Sequence, residues 1–208
     1  MRVLIACEHS GTVREAFAAR GHDAWSCDLL QPLQAGKHLQ CDAREVLNDG
    51  WDLMIAHPPC TYLSYAGMGS WNKPGREQLR EQAMSFFMEM VNAPISRICV
   101  ENPRGLPCQV YRKPDQVIHP YMFGEPFFKR TCIWLKNLPA LWYWDKPDSL
   151  FDLTSVPKPE PVSVDSMSST QPGKRRHFVD AGTRNPLIRS RTFNAVAAAM
   201  SQQWGEVL

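Results

Sequence analysis

The sequence predicts an α/β protein with a mostly parallel sheet flanked by helices. Apolar, strand-like runs alternate with helix-like segments through the first two thirds of the chain, as they do in parallel sheets with crossover helices. Several of these runs are followed directly by polar or acidic residues, at the position where such sheets bind ligands. After residue 139 the chain becomes rich in proline and serine and loses its periodicity. We therefore expect one main domain with a short irregular insertion towards the C-terminus.

The first strand, helix and second strand follow one another closely. "RVLIAC" (2–7) predicts a buried strand, and "DAWSCDL" (23–29) predicts the next one. Between them, residues 10–21 predict a helix that ends at a glycine, with the spacing of a capping box at Thr12 and Glu15. Helical spacing places Val13, Ala16 and Phe17 on the inward face.

Three more strands and two more helices complete the prediction. The strands are 51–57, 97–103 and 131–138. A helix over 76–92 carries a stripe of apolar side chains that we assign to the core rather than to a cofactor. That stripe comprises Leu79, Ala83, Phe86, Phe87, Met90 and Val91. The last helix, in "SRTFNAVAAAMSQQW", has Phe193, Val196, Ala197 and Met200 on one face. We accordingly divide the chain into 1–138, an irregular region 139–188, and a C-terminal segment 189–208 that packs back on the main domain.

Composition excludes several classes of protein. The 208 residues are 44% hydrophobic and 21% charged, and no apolar run is long enough to cross a membrane. The start lacks the features of a signal peptide. Seven scattered cysteines without a CxxC pair disfavour both a disulfide framework and a zinc cluster, so no metal site is expected. Unpaired thiols fit a reducing cytoplasm.

Positive charge is concentrated near the C-terminus, although the net charge is only +2. Between residues 174 and 191 the single acid is Asp180, and this excess of cations predicts a polyanionic partner such as nucleic acid. The alternative is a solvated basic loop. The cations are Lys174, Arg175, Arg176, Arg184, Arg189 and Arg191.

The residues that follow the predicted strands, taken together, indicate one candidate active site. "CEHSG" (7–11) follows the first strand, and Asp28, after the second, has the spacing of a ribose ligand. Asp42 is placed to meet an adenine ring. The next two strands lead to Cys60, behind two prolines, and to Glu101. A thiol, a carboxylic acid and an adenosine-like pocket are thus predicted at one edge of the sheet.

That combination suits chemistry at carbon 5 of a pyrimidine. Carbon 5 is a poor nucleophile until a group adds to carbon 6, and the Cys60 thiolate suits that addition. A protonated Glu101 at ring nitrogen 3 would stabilise the resulting enamine. A sulfonium cofactor could then donate a methyl group, and a base within duplex DNA would have to be flipped into the pocket.

Several motifs resemble those of the DNA (cytosine-5)-methyltransferase family. "PPCTYLSYAG" (58–67) is similar to the family's Pro-Pro-Cys-x-x-x-Ser-x-Ala-Gly motif, and "VENP" (100–103) to its Glu-Asn motif. Residues 4–29 resemble its cofactor segment, and "GEPFFKRTCIWL" (124–135) its arginine-bearing strand. The likeness covers residues 2–138 and a weaker patch near 184–204, and it is nearest to short members encoded by phages or prophages, which include enzymes of restriction-modification.

The resemblance implies a class I S-adenosylmethionine-dependent methyltransferase fold, which is Rossmann-like, and a set of site residues. The implied catalytic residues are Cys60, Glu101, Asn102 and Arg130. The implied contacts to S-adenosyl-L-methionine are Glu8, Ser10, Gly11, Asp28, Asp42 and Pro58. The implied DNA contacts are Ser64, Lys174, Arg175, Arg176, Arg189 and Arg191.

The chain departs from the family's motifs in three places. In its cofactor turn only Gly11 fits the expected glycine pattern. Cys132 stands where a second arginine is expected after Arg130, so another cation would have to orient the base. The target-recognition region shrinks to about fifty residues, which leaves few side chains for reading bases in the major groove. Specificity would then be low, or supplied by a partner protein or a homodimer.

Three function classes follow from these observations. The first, which we favour, is methylation of cytosine in DNA. The second is the same covalent chemistry on a free pyrimidine nucleotide such as dCMP, which the short recognition region favours. The third is a non-catalytic relative that binds DNA or a host methyltransferase; the altered cofactor turn favours it, and the intact pair of Cys60 and Glu101 argues against it.

Overall fold

The fold is α/β, with a mixed, mostly parallel sheet covered by helices on both faces. The computed structural model describes residues 1–125, 129–142, 166–167, 175–176 and 192–206. Within these residues the main sheet has seven strands in the order β3-β2-β1-β4-β5-β7-β6. The strands are β1 Arg2–Ala6, β2 Asp23–Cys27, β3 His38–Leu39, β4 Leu53–Ala56, β5 Arg97–Pro103, β6 Gln116–Ile118 and β7 Thr131–Lys136.

The first five strands are parallel, and β7 runs antiparallel between β5 and β6. The chain adds β2 and β3 on one side of β1 and then returns to add β4 on the other. This reversal between β1 and β4 opens a crevice at their carboxyl ends, which is the usual ligand site in such sheets. The arrangement is compatible with a Rossmann-like fold.

Four α-helices occur in the described ranges: α1 Thr12–Ala18, α2 Arg76–Val91, α3 Pro107–Val110 and α4 Asn194–Gly205. Alternate side chains of each strand face opposite sides of the sheet. Leu4 and Met54 pack with Phe87 of α2 on one side. Ile5 and Ile55 pack with α1 and α4 on the other. Trp204 of α4 is fully buried in this second layer.

The predicted strands and the three longer helices are confirmed, with bounds that shift by a few residues. The capping box predicted at Thr12 is wrong, because the residue before α1 is Gly11, which has a left-handed backbone and caps nothing with a side chain. Ala16 is only half-buried. Two short strands, β3 and β6, and the short helix α3 were not predicted.

The stripe on α2 divides between two roles. Phe87, Met90 and Val91 are buried in the core, as predicted. The assignment is wrong for Leu79, which is exposed. Ala83 and Phe86 are partly buried and pack against the core, and all three side chains also line a surface pocket.

The C-terminal segment and the irregular region are described in part. In α4 the predicted inward face is confirmed at Val196, Ala197 and Met200, which are buried. The indole nitrogen of Trp204 donates to the carbonyl of Pro139, 3.0 Å away. Most of the region 139–188 lies outside the described residues. None of the helices described here is both long enough and apolar enough to span a bilayer.

Candidate active site

Two adjoining pockets occupy the crevice at the carboxyl edge of the sheet. The larger, of about 630 Å³, lies beyond β1 and β2, and the smaller, of about 150 Å³, lies beyond β1, β4 and β5. Cys7 and Pro59 line both pockets. A ligand in one pocket would therefore lie next to a ligand in the other.

The larger pocket combines acidic residues with an apolar wall. Asp28, which directly follows β2, and Asp42 both line the pocket. The Asp42 carboxylate is already engaged, since it forms an ion pair with Arg44 at 2.6 Å and accepts a hydrogen bond from the Arg44 amide. The hydrogen bonds from Arg44 hold the pKa of Asp42 below its usual range. Leu79, Ala83 and Phe86 of α2 supply the wall.

Three thiols form the base of the larger pocket. Cys7 adopts a left-handed conformation with φ of 60°, which is uncommon for a residue other than glycine. The sulfur atoms of Cys27 and Cys41 lie 3.7 Å apart. Burial, followed by the contact with Cys41, raises the pKa of Cys27 to about 12, so this thiol is protonated at neutral pH. None of the seven cysteines forms a disulfide.

Glu8 closes the amino end of α1. Its carboxylate accepts hydrogen bonds from the amides of Val13 and Arg14, at 2.7 and 3.2 Å, and from the Ser10 hydroxyl at 3.0 Å. Glu8, Ser10 and Pro58, which the sequence assigned to the cofactor, line the smaller pocket instead of the larger one. Gly11 lines neither, and its open side faces the Arg14 guanidinium.

The smaller pocket brings together the two residues that the sequence paired for chemistry. Cys60 and Glu101 both line it, with His57, Asn102 and Lys129. The Asn102 amide donates to the carbonyl of Pro58 at 2.8 Å, so it holds the segment that carries Cys60 against the end of β5. Asn102 itself is 1% exposed, so it supports this segment from within the protein.

A second set of backbone contacts fixes the loop after Cys60. The Leu106 amide donates to the Leu63 carbonyl at 2.8 Å, and Ser64 pairs with Gly105 in an isolated antiparallel bridge. The Ser64 hydroxyl accepts from the Ala66 amide and begins a 3-10 helix, so its oxygen is engaged within the loop. The loop after Cys60 and the segment after β5 therefore form one unit.

The charge of Glu101 is set by its neighbours. Burial raises the pKa of its carboxyl, but the hydrogen bond with His57, the positive charge of Lys129 and the Thr131 hydroxyl outweigh it. The resulting pKa lies below the usual range, so Glu101 is ionised in the free protein at neutral pH. The mechanism expected from the sequence, which places a proton on Glu101, therefore needs another source for that proton, and the Cys60 thiol loses one when it reacts.

Of Lys129 and Arg130, it is Lys129 that lines this pocket. Arg130 is exposed and lines none of the pockets described above, whereas Lys129 lines the smaller one beside Cys60 and Glu101. The antiparallel direction of β7 explains the position, because the amino end of β7 pairs with the end of β5, at Thr131 and Pro103. The site role assigned to Arg130 is not supported by its position.

Three of the six predicted nucleic-acid contacts, Lys174, Arg189 and Arg191, lie outside the described residues. Arg175 and Arg176 form a two-residue strand, β9, that pairs antiparallel with β8, Ser166–Met167.

Sequence reasoning missed three residues of the site and its support. Neither His57 nor Lys129 was assigned a role from the sequence. Arg14 is fully buried although it is an arginine on a helix. Its guanidinium donates to Ser26 and to the carbonyls of Gln34 and Ala35, and so anchors the loop after Asp28. The helical spacing gave no signal for it, since Arg14 was read as polar.

No cluster of three or more metal-ligating side chains occurs in the part of the chain that the structure describes. No known family model matches the chain, and no curated protein matches it either.

Proposed function

We propose that this protein transfers a methyl group from S-adenosylmethionine to carbon 5 of cytosine in DNA, through a covalent adduct with Cys60. The observation that carries the proposal is the pair of adjoining pockets. One has the size and lining for a nucleoside cofactor, and the other holds a thiol beside a carboxylate. The compatibility of the sheet with a Rossmann-like fold supports the class I methyltransferase assignment made from the sequence.

The larger pocket fits S-adenosylmethionine in shape and charge. The Asp28 carboxylate can accept from ribose hydroxyls, and Phe86 and Leu79 offer an apolar face to an adenine ring. Among the described residues Arg44 is the one cation that lines the pocket, and it is paired with Asp42, so the remaining charge favours a positively charged ligand. When bound, S-adenosylmethionine supplies the methyl group.

Glu8 argues against a phosphate-bearing cofactor. Helix amino ends in nucleotide-binding sheets usually bind phosphate through their unpaired amides. Here two of those amides, from Val13 and Arg14, already donate to the Glu8 carboxylate. A phosphate at this position would meet a buried negative charge, whereas the phosphate-free S-adenosylmethionine would not.

In the smaller pocket, Cys60 and Glu101 act on opposite sides of the ring. The Cys60 thiolate forms a bond to carbon 6, and the displaced electron pair makes carbon 5 nucleophilic. The proton that the Cys60 thiol gives up is taken up at ring nitrogen 3 as negative charge develops there, and the Glu101 carboxylate accepts a hydrogen bond from that N–H. Methyl transfer would leave S-adenosylhomocysteine; water would then take the proton from carbon 5, the bond from carbon 6 to Cys60 would break, and the proton on ring nitrogen 3 would return to the thiolate.

A mechanism-based substrate tests the proposal. With fluorine at carbon 5 no proton can leave, so the enzyme and DNA should remain joined when S-adenosylmethionine is present. Denaturing electrophoresis should show a retarded band for wild type and for the control Cys108→Ser, whose thiol lies outside both pockets. Cys60→Ser should give none. A band with Cys60→Ser, or no band with wild type, would contradict the proposal.

The free-nucleotide alternative rests on the volume of the smaller pocket, which suits a single base and needs no duplex. Radiolabelled S-adenosylmethionine offered with either duplex DNA or dCMP separates the two. Label in dCMP alone would transfer the proposal to the nucleotide.

A further inference from the structure

His57 lies between the smaller pocket and a third, still smaller cavity. It directly follows β4, and it lines both the pocket that holds Cys60 and a cavity of about 20 Å³ beside α4. Its ring nitrogen Nδ1 is 3.1 Å from Oε2 of Glu101, and the two side chains are 12% and 15% exposed. The contact is therefore a largely buried hydrogen bond next to the candidate nucleophile.

The direction of this hydrogen bond follows from the charge of Glu101. An ionised carboxylate can only accept, so the proton lies on Nδ1 of His57 and is donated to Oε2. The other ring nitrogen, Nε2, is buried and has no hydrogen-bond partner among the described residues. Leaving a buried polar atom unsatisfied costs about 1–3 kcal/mol, so stability alone does not account for a histidine at this position.

We propose that His57 is a positioning residue, which fixes the Glu101 carboxyl so that its other oxygen faces the base in the smaller pocket. The inference rests on the proposed function, because ring nitrogen 3 of the base is the group that this oxygen would meet. A hydrogen bond to one oxygen restricts rotation of the carboxyl, and such restriction is how supporting residues contribute to catalysis.

Other charged or titratable groups border the same pocket and affect the size of the effect. They are Cys7, Glu8, His9, Cys60 and Lys129. Glu8 is directed towards the amides of α1, and Lys129 contributes positive charge close to Glu101. Lys129 will still lower the pKa of Glu101 when His57 is replaced. Replacement of His57 should therefore raise that pKa only in part.

Two variants of His57 separate positioning from a structural role. His57→Asn can still donate from a position close to that of Nδ1, and His57→Leu cannot. His9→Leu is the matched control, because His9 borders the same pocket and has no hydrogen bond to Glu101 among those described. Urea unfolding establishes that each variant is folded.

The first measurement does not need activity. Carbon-13 NMR of the Glu101 carboxyl should show its pKa rising in His57→Leu, because the hydrogen bond that lowers it is lost. In His57→Asn and His9→Leu the pKa of Glu101 should stay near its wild-type value.

The second measurement is the rate of adduct formation with fluorocytosine DNA. It should fall by about 100-fold in His57→Leu and by less than about tenfold in His57→Asn.

The inference is overturned if His57→Leu leaves both the titration and the rate at wild-type values. It is also overturned if the leucine and asparagine variants are equally impaired, since a structural role alone would give that result. Wild-type protein that forms no adduct would contradict the proposed function, and the Glu101 titration would still decide whether His57 controls that carboxyl.

Discussion

Gly105→Ala should separate the loop after Cys60 from the segment after β5. A Cβ atom at this position would lie 2.8 Å from the Leu63 carbonyl carbon and 2.9 Å from the Ser64 Cα, and closer still to the Leu63 oxygen. Carbon atoms pack at about 3.5–4.0 Å, so the two segments must separate by about 0.7 Å or more. Both neighbours are backbone, so no side-chain rotation can relieve the contact.

The size of the effect follows from the contacts that are lost. Separation breaks two backbone hydrogen bonds. One runs from the Leu106 amide to the Leu63 carbonyl, and the other, which is longer, runs from the Tyr65 amide to the Arg104 carbonyl. At about 1 kcal/mol for each backbone hydrogen bond, this costs about 2 kcal/mol. Disturbed packing of Leu63, which is fully buried, adds about 1 kcal/mol. We expect the free energy of unfolding to fall by about 3 kcal/mol.

Chemistry should suffer more than stability. A displacement near 1 Å in a reacting group can cost about 100-fold in rate, so adduct formation by Cys60 should fall by that order. Urea unfolding and the fluorocytosine adduct assay measure the two effects. Gly69→Ala is the control, because its Cβ would have no neighbour within 4 Å and it lies in the same loop. Wild-type stability and rate in Gly105→Ala would refute the reasoning.

Three further predictions concern charged residues. Arg14→Met should lower the free energy of unfolding by about 2–3 kcal/mol, because the guanidinium's buried hydrogen bonds are lost; the exposed Arg20→Met should change it little, and equal effects in urea unfolding would contradict this. Lys129→Ala should slow adduct formation at least tenfold, as expected for a charge beside the reacting base, whereas Arg130→Ala should not; the reverse order in the fluorocytosine assay would restore Arg130 to the site. Burial raises the pKa of Asp115, but the ion pair with Arg112 and the hydrogen bond from the Leu135 amide outweigh it, so the pKa lies below its usual value. The ionised Asp115 therefore stabilises the fold above the pKa of the unfolded state, and this stabilisation is lost as the pH falls through the folded pKa. The stability difference between wild type and Asp115→Asn should therefore shrink in acid, and a difference independent of pH in urea titrations would contradict it.

The sequence was sufficient to predict that Cys60 and Glu101, the central pair of the candidate site, lie close together. The order of apolar runs was enough to place Cys60 and Glu101 at one edge, because parallel strands align their carboxyl ends. The bounds of β5 agree with the predicted 97–103. The family resemblance, the cofactor and the reaction remain predictions that the experiments above would test.

The missed features have separate physical causes. Periodicity shows which residues face the core but carries no information on strand direction, so the antiparallel course of β7 and the resulting position of Lys129 could not be read. Strands as short as β3 and β6 give too few residues for an alternating pattern. The capping of α1 by Glu8 reaches across five residues to Val13, whereas the expected capping box spans three.

The position of β7 also has a consequence for folding during synthesis. β7 pairs with β5 on one side and β6 on the other, although it follows both in the chain. Until residues 131–136 leave the ribosome, the edge of β5 next to Glu101 has no partner strand in this sheet. An unpaired strand edge in a partly made chain is a template for aggregation. The edge of the sheet that carries the candidate site is thus completed late, and expression that pauses before residue 131 would expose the strand on which Glu101 lies.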